Sequence, residues 1–245
     1  MNWLKNIFSK TAPPELPAHF HENAELSEEQ ISRKLRSEEC LFNQGIAINP
    51  HLPCIESESE AAIRDPLEVQ RRFFAVSFVA SVAWEKQHGD MPHDALHESC
   101  NREIDKRDRW SWFTDQEQRY LKMASTDPNE DLQLSWRYEA AWPLYWALGS
   151  GPEKLEEPVS ECDVGLLAET AHTGDPTNDP RLRATSVILD EADLIYRYHW
   201  ATRQANLSGR ELNGISSSVV IERHHALNWL IGYEDQDWDE VTTDT

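Results

Sequence analysis

The chain has 245 residues, 39% of them hydrophobic and ten of them Trp, enough for a packed core and too apolar for a largely disordered chain. Its formal net charge of −21 disfavours nucleic acid, whose binding needs surplus Lys and Arg to displace counterions, and suits a basic protein partner. Four dispersed cysteines, Cys40, Cys54, Cys100 and Cys162, form no C-x-x-C; they fit a reducing, cytoplasmic setting rather than a disulfide frame or a Cys-based zinc site.

Residues 2–9, NWLKNIFS, place Trp3, Leu4, Ile7 and Phe8 at helical spacing beside Lys5 and Lys10, without the apolar stretch of a signal peptide. Pro13, Pro14 and Pro17 follow as a stiff extended linker. Residues 1–26 are therefore expected to be an amphipathic peptide on a tether. Its roles would be a docking peptide, a weak membrane-surface contact, or a segment folded back on the domain. No run in the chain approaches the about 20 apolar residues of a membrane span.

A helical domain is expected over 27–245. SEEQ at 27–30 is a capping box that starts one helix. Asp65, Pro66 and Glu68 open a long apolar helix, and Thr114 with Glu117 repeats the capping signature. Asp127-Pro128 starts a helix that should run to Gly149 with a kink at Pro143. Residues 163–172, 181–205 and 217–231 predict three more. With only nine glycines and no convincing hairpin, the fold class expected is all-α: a single domain of about seven to nine helices around a Trp-rich central helix.

Three of these helices force charge inward. At about 100° per residue, Trp136, Trp142 and Trp146 flank Glu139 on a helix with apolar residues around its whole circumference. A carboxylate there must stay protonated or meet a cation. In 181–205, the stripe of Ile188, Leu189, Ala192, Ile195 and Tyr196 has His199 near its centre and Arg203 one turn on, with Asp190 and Asp193 towards a flank. In 217–231, Arg223 projects from the face of Val219, Val220, Leu227, Leu230 and Ile231. His224 lies at that face's edge, and Glu222, His225 and Trp229 share another side. Adjacent His224 and His225 point about 100° apart, so the better pairing is Glu222 with His225 at i, i+3. Glu139, His199, Arg203 and Arg223 are expected to meet in one interhelical polar network, joined by Glu222 or Asp193. Such a network either fixes helix register or forms a site with shifted pKa values.

Catalytic and metal motifs are sparse. Glu-x-x-His occurs at Glu85/His88, Glu169/His172 and Glu222/His225, a spacing that puts two metal ligands on one helix face. The pattern has little specificity in a chain so rich in carboxylates, and it leaves Glu222 and His225 as the candidate metal ligands. There is no G-x-S-x-G and no Gly-rich phosphate loop, so no cofactor is expected. Between 233 and 245 the chain carries six acids and no base, yet Trp238 and Val241 predict that this tail docks on the body near Arg or Lys side chains.

LEVQRRFFAVSFVA at 67–80, WRYEAAWPLYWALG at 136–149, DEADLIYRYHWATR at 190–203 and ERHHALNWLIG with WDEVTTDT in 222–245 together resemble the bacterial family known as domain of unknown function 4272. The resemblance covers roughly residues 27–245. It implies a mostly helical single domain ending in a fixed tail, and it supplies no activity or cofactor. Its hallmarks fall on Glu139, Asp193, Arg197, His199, Arg203, Glu222, Arg223 and His224. Two functions are consistent with all this. The first is an acidic protein-binding module, immunity- or adaptor-like. The other is an enzyme or metal protein using Glu139, His199, Glu222, Arg223 and His225 as acid–base or ligand groups.

Overall fold

Ser27 and Gln30 exchange hydrogen bonds across the first turn of α1 (Glu28–Asn43), closing the capping box. The computed structural model describes residues 26–155, 157–174, 177–212 and 214–245; the peptide and linker expected N-terminal to the domain lie outside the described residues. The Asp65 carboxylate caps α2 (Pro66–His88) by accepting from the Leu67 and Glu68 amides. Glu68 does not close a box there, and faces Arg64 at 3.6 Å instead. After α3 (His93–Lys106) and a 3-10 turn at Trp110–Trp112, Thr114 and Glu117 form the second capping box, on α4 (Asp115–Leu121).

The helix expected from Asp127 to Gly149 is two. α5 (Pro128–Ser135) and α6 (Arg137–Ala147) meet at Trp136, where the Glu139 amide bonds back only three residues to the Trp136 carbonyl. Pro143 sits inside α6 without ending it. Its missing N–H and its clash with the carbonyl four residues back loosen the turn before it, and the break falls just upstream of that turn. α7 (Val164–Thr173), α8 (Thr185–Leu207) and α9 (Ser217–Ile231) follow, then 3-10 turns at Tyr233–Asp235 and Trp238–Glu240. No strand occurs among the described residues, and the fold is an all-α single domain. α3 escapes the sequence reading because its capping position is Pro92, which offers no side-chain bond, and its apolar face is only Leu96, Cys100 and Ile104. Their i, i+4, i+8 spacing is the signal that identifies it.

α6 is central. It packs against α2 and α9, with α5 and α7 alongside; α8 covers α9, and α1 lies on α8. Tyr138, Trp142, Leu144 and Trp146 of α6 join Phe73, Val76, Leu189, Leu227 and Leu230 in the main core. α2 has no polar face in its middle because it serves two cores. Phe73, Val76 and Ala80 enter the first, while Phe78, Val79 and Val82 meet Leu96, Ile104, Phe113 and Tyr120 in the second.

Gly232 ends α9 in the left-handed conformation (φ 72°), and Glu234 and Asp235 also have positive φ. This corner sends the tail back along α9. The Arg64 amide donates to the Leu230 carbonyl, and the Arg64 guanidinium donates to the Trp229 and Gln236 carbonyls. Asn228 holds the Thr242 carbonyl at 2.9 Å. A Cβ at Gly232 would stand 2.5 Å from the Ala62 carbonyl oxygen, whereas one at Gly209, also left-handed, would meet nothing within 4 Å. Gly209→Ala is therefore expected to cost the backbone strain alone, about 1 kcal/mol, and Gly232→Ala distinctly more, in urea-unfolding midpoints. Equal losses would remove the role given to the Ala62 contact.

Candidate functional site

The charged side chains that the helix patterns point inward resolve into separate clusters rather than one network. Glu139 of α6 and Arg223 of α9 form the deepest. The Arg223 Nε donates to Glu139 Oε2 at 3.0 Å, Nη2 stands at the same distance, and the two side chains are 3% and 1% exposed. The other Glu139 oxygen accepts the Cys162 amide at 2.6 Å, tying the segment before α7 to the same carboxylate. Beside this pair, Arg137 donates to Glu222 at 3.1 Å, a second link between α6 and α9. Burial raises the Glu222 carboxyl, and Arg137 opposes the shift. Glu222 is thus taken by Arg137, not by His225.

His199 does not reach Glu139. Its Nδ1 lies 2.8 Å from the Nδ1 of His224, the rings meeting edge to face. Two nitrogens at that distance share a single proton, one ring donating and the other accepting. Burial, with Arg203 adding, pushes His199 down to about 4; burial, with His199 and His225 adding, pushes His224 down to about 3. His225 points elsewhere, edge-on to the Trp238 ring at 4.7 Å, and burial followed by Arg137 and Arg72 pushes it down to about 3. Arg203 is on the surface, at the far end of α8, where it donates to the Thr245 carbonyl.

Asp193 and Arg197 lie apart from all of these. The sequence places Asp193 towards a flank of the apolar stripe, and α1 packs on that flank and buries it. The Arg197 guanidinium donates two bonds to Asp193, at 2.7 and 2.8 Å, and stands 3.7 Å from Glu38. Lys34 completes the group, 3.7 Å from Glu38 and donating to the Pro50 and Leu52 carbonyls at 2.6 Å. Lys34 and Glu38 are absent from the sequence reading because the buried face of α1 is almost wholly polar: Gln30, Arg33, Lys34, Ser37, Glu38 and Leu41. The i, i+4 run of 30, 34 and 38 is its only trace. Arg72 of α2 and Glu117 of α4, a further buried pair, were likewise missed.

Of the Glu-x-x-His pairs, His88 stacks on Trp84 and His172 leans on Phe78. Among the described residues, no group of three His, Cys, Asp or Glu side chains converges in a way that could hold a metal ion. None of the helices described is long and apolar enough to cross a membrane. Two openings adjoin the clusters. One, about 320 Å³, is lined by Cys54, Tyr196, Arg203, His224, Tyr233 and Asp244. Another, about 510 Å³, lies where α2, the start of α4 and the tail meet, with Trp112, Phe113, Trp229 and Trp238 among its walls.

A family model described as a domain of unknown function (DUF4272) matches residues 33–241. No curated protein matches the chain, and no solved structure does.

Glu139→Gln keeps an acceptor for Cys162 but leaves Arg223 charged and buried. It is expected to lower unfolding stability by about 3–5 kcal/mol, and the double replacement Glu139→Gln with Arg223→Met, which also keeps the acceptor for Cys162, should recover a good part of that. A double variant no better than the single one would count against the pair as the unit. The three histidines give a pH dependence. They are neutral when folded and take up a proton near pH 6.5 when unfolded, so their contribution is complete above about 6.5 and drains away as the pH falls towards 4. Each accounts for up to about 1.4 kcal/mol per pH unit in that window. Glu191, pushed up to about 7 by burial and by Asp190, runs the opposite way. Imidazole NMR signals of His199, His224 and His225 should stay flat from about pH 7.5 to 5; a titration centred near 6.5 would contradict their buried, neutral state.

Proposed function

This chain belongs to the DUF4272 family, a domain of unknown function, and on that premise we propose that it is a protein-binding module, adaptor- or immunity-like, whose acidic surface covers a basic partner. One observation carries the reading: four inward-facing arginines are each matched by a carboxylate from within. Arg223 is taken by Glu139, Arg197 by Asp193, Arg137 by Glu222 and Arg72 by Glu117. Each pair is neutral in sum, so the −21 of the chain is carried by the remaining, mostly outward, carboxylates. A field of one sign speeds and selects encounter with the opposite sign. Four unpaired cysteines fit a reducing, cytoplasmic setting for such an encounter.

The enzyme reading has less support, because the side chains it needs are engaged: Glu139 and Arg223 with each other, Glu222 with Arg137, and His225 against Trp238.

Capture experiments with the purified chain should retain proteins rich in Lys and Arg at low salt and release them as ionic strength rises past the physiological range. Retained proteins that are not basic, or a complex indifferent to salt, would sink the proposal.

A further inference from the structure

The opening of about 320 Å³ is walled by separated parts of the chain: the 53–56 stretch, α8, α9 and the tail. Its volume lies at the lower end of those that hold small organic ligands. α8 contributes Tyr196 and Arg203, seven residues apart and so on one face, about 10 Å from each other along the helix axis. α9 contributes His224, Asn228 and Ile231 from one face of its own. The Tyr196 and His224 rings stand 5.8 Å apart, and His224 is neutral there, with one nitrogen committed to His199.

The polar side chains around this opening differ from the matched pairs elsewhere in lacking partners. The half-buried phenols of Tyr196 and Tyr233 make no hydrogen bond among the described residues, and neither does the half-buried carboxylate of Glu56 or the exposed one of Asp244. Arg203 uses only its Nη1, on the Thr245 carbonyl and hydroxyl; its Nε and Nη2 have no partner among the described residues. The uncommitted charges fall at two ends. Burial raises the Tyr233 phenol, and Glu234, Asp244 and Glu56 raise it further, so the carboxylates gather about that ring. Burial pushes the neighbouring Tyr196 phenol up to about 12, with Arg197 opposing and Asp193 and Tyr233 adding. Arg203 lies two turns of α8 beyond it. The other walls, Ile55, Ile231, the Tyr196 ring and the neutral His224, carry no charge. A simple anion held at Arg203 would face two carboxylates across the opening, and a simple cation held at the carboxylates would face Arg203. A molecule with opposite charges at its two ends meets both.

We propose that this opening binds a short zwitterion of dipeptide size, its carboxylate on the free edge of the Arg203 guanidinium, its ammonium at Glu56 and Asp244, and its central amide within reach of the Tyr196 and Tyr233 hydroxyls. Helical side chains lean towards the N-terminus of their helix, which brings Arg203 back towards Tyr196 and shortens the gap to the reach of two extended residues, about 7 Å. Such a site is independent of the acidic surface that would meet a basic protein, so either can fail without the other.

Calorimetric titration of the full chain with the dipeptide Ala-Leu tests this. The native chain should bind it with a submillimolar dissociation constant; no binding at millimolar dipeptide overturns the site. Capping either end, as N-acetyl-Ala-Leu or as Ala-Leu amide, should weaken binding at least about tenfold, or about 1.4 kcal/mol. Arg203→Gln and Glu56→Gln should each do the same, whereas Arg210→Gln with Glu211→Gln, exposed and outside the opening, should change it less than about twofold. Matching each variant to each capped ligand separates direct contact from a structural effect: Arg203→Gln should no longer matter to the amide, nor Glu56→Gln to the acetylated dipeptide. Variants that weaken all three ligands alike, or capped dipeptides that bind as well as the free one, overturn the zwitterion assignment. Unchanged melting temperatures keep folding out of the comparison. Chemical-shift changes on adding Ala-Leu should centre on Tyr196, His224, Tyr233 and Asp244; changes confined to other residues overturn the site as well.

Discussion

Arg223 and Glu139 bring opposite charges to 3.0 Å where almost no solvent reaches, and neither central helix can close without the other's contribution. An unmatched charge at that depth costs several kcal/mol, comparable to the whole net stability of an ordinary domain. The apolar surfaces of α6 and α9 therefore have one acceptable way to meet: the arrangement that puts position 139 opposite position 223. The second Glu139 oxygen extends this to Cys162, so the approach to α7 is fixed by the same carboxylate.

The other pairs apply the same rule at other seams. Arg72 and Glu117 join α2 to α4, Arg197 and Glu38 join α8 to α1, and Arg33 reaches Asp190 at 3.3 Å across the α1–α8 contact. A buried pair contributes little net stability beside well-packed hydrophobic side chains, so these contacts are better understood as selecting neighbours and register. α1 is the extreme case. Its buried face is mostly charged and amide side chains, and its place on α8 is chosen by matched charge more than by oil. Outside the seams, many of the remaining carboxylates of the described residues face solvent and take no part in choosing helix neighbours.

How far the sequence foretells this depends on which force shapes each element. α2 and α9 are apolar over long stretches and well marked at their starts, and their limits follow from pattern and capping residues; α8 is as apolar but begins at Thr185 rather than at the expected 181, because Ala184 before it offers no capping side chain. α3 is faint because it covers the second core with three side chains. The break at Trp136 is invisible to a periodicity argument, which sees the two halves as one amphipathic run. For the site, helix geometry puts Glu139 and Arg223 inside and opposite. It cannot supply the rotation of α8 against α1, which buries Asp193, or the bend of the tail, which gives His225 an indole neighbour in place of Glu222. Those partners lie far along the chain from one another, and one-dimensional spacing carries no record of them.

The corner at Gly232, Glu234 and Asp235 has a consequence for how such a molecule can change over time. Trp229 before it and Trp238 after it meet ring to ring at 5.3 Å, so the intervening length is fixed at both ends. The exposed residues beyond Trp238, namely Asp239, Glu240 and Asp244, can be exchanged without any helix being repacked, unlike Val241, which packs on the core, whereas an added or lost residue within the corner would break the register between the two indoles. Lineages of this architecture are thus free to redraw what the last turn displays by substitution, while the spacing that presents it stays locked.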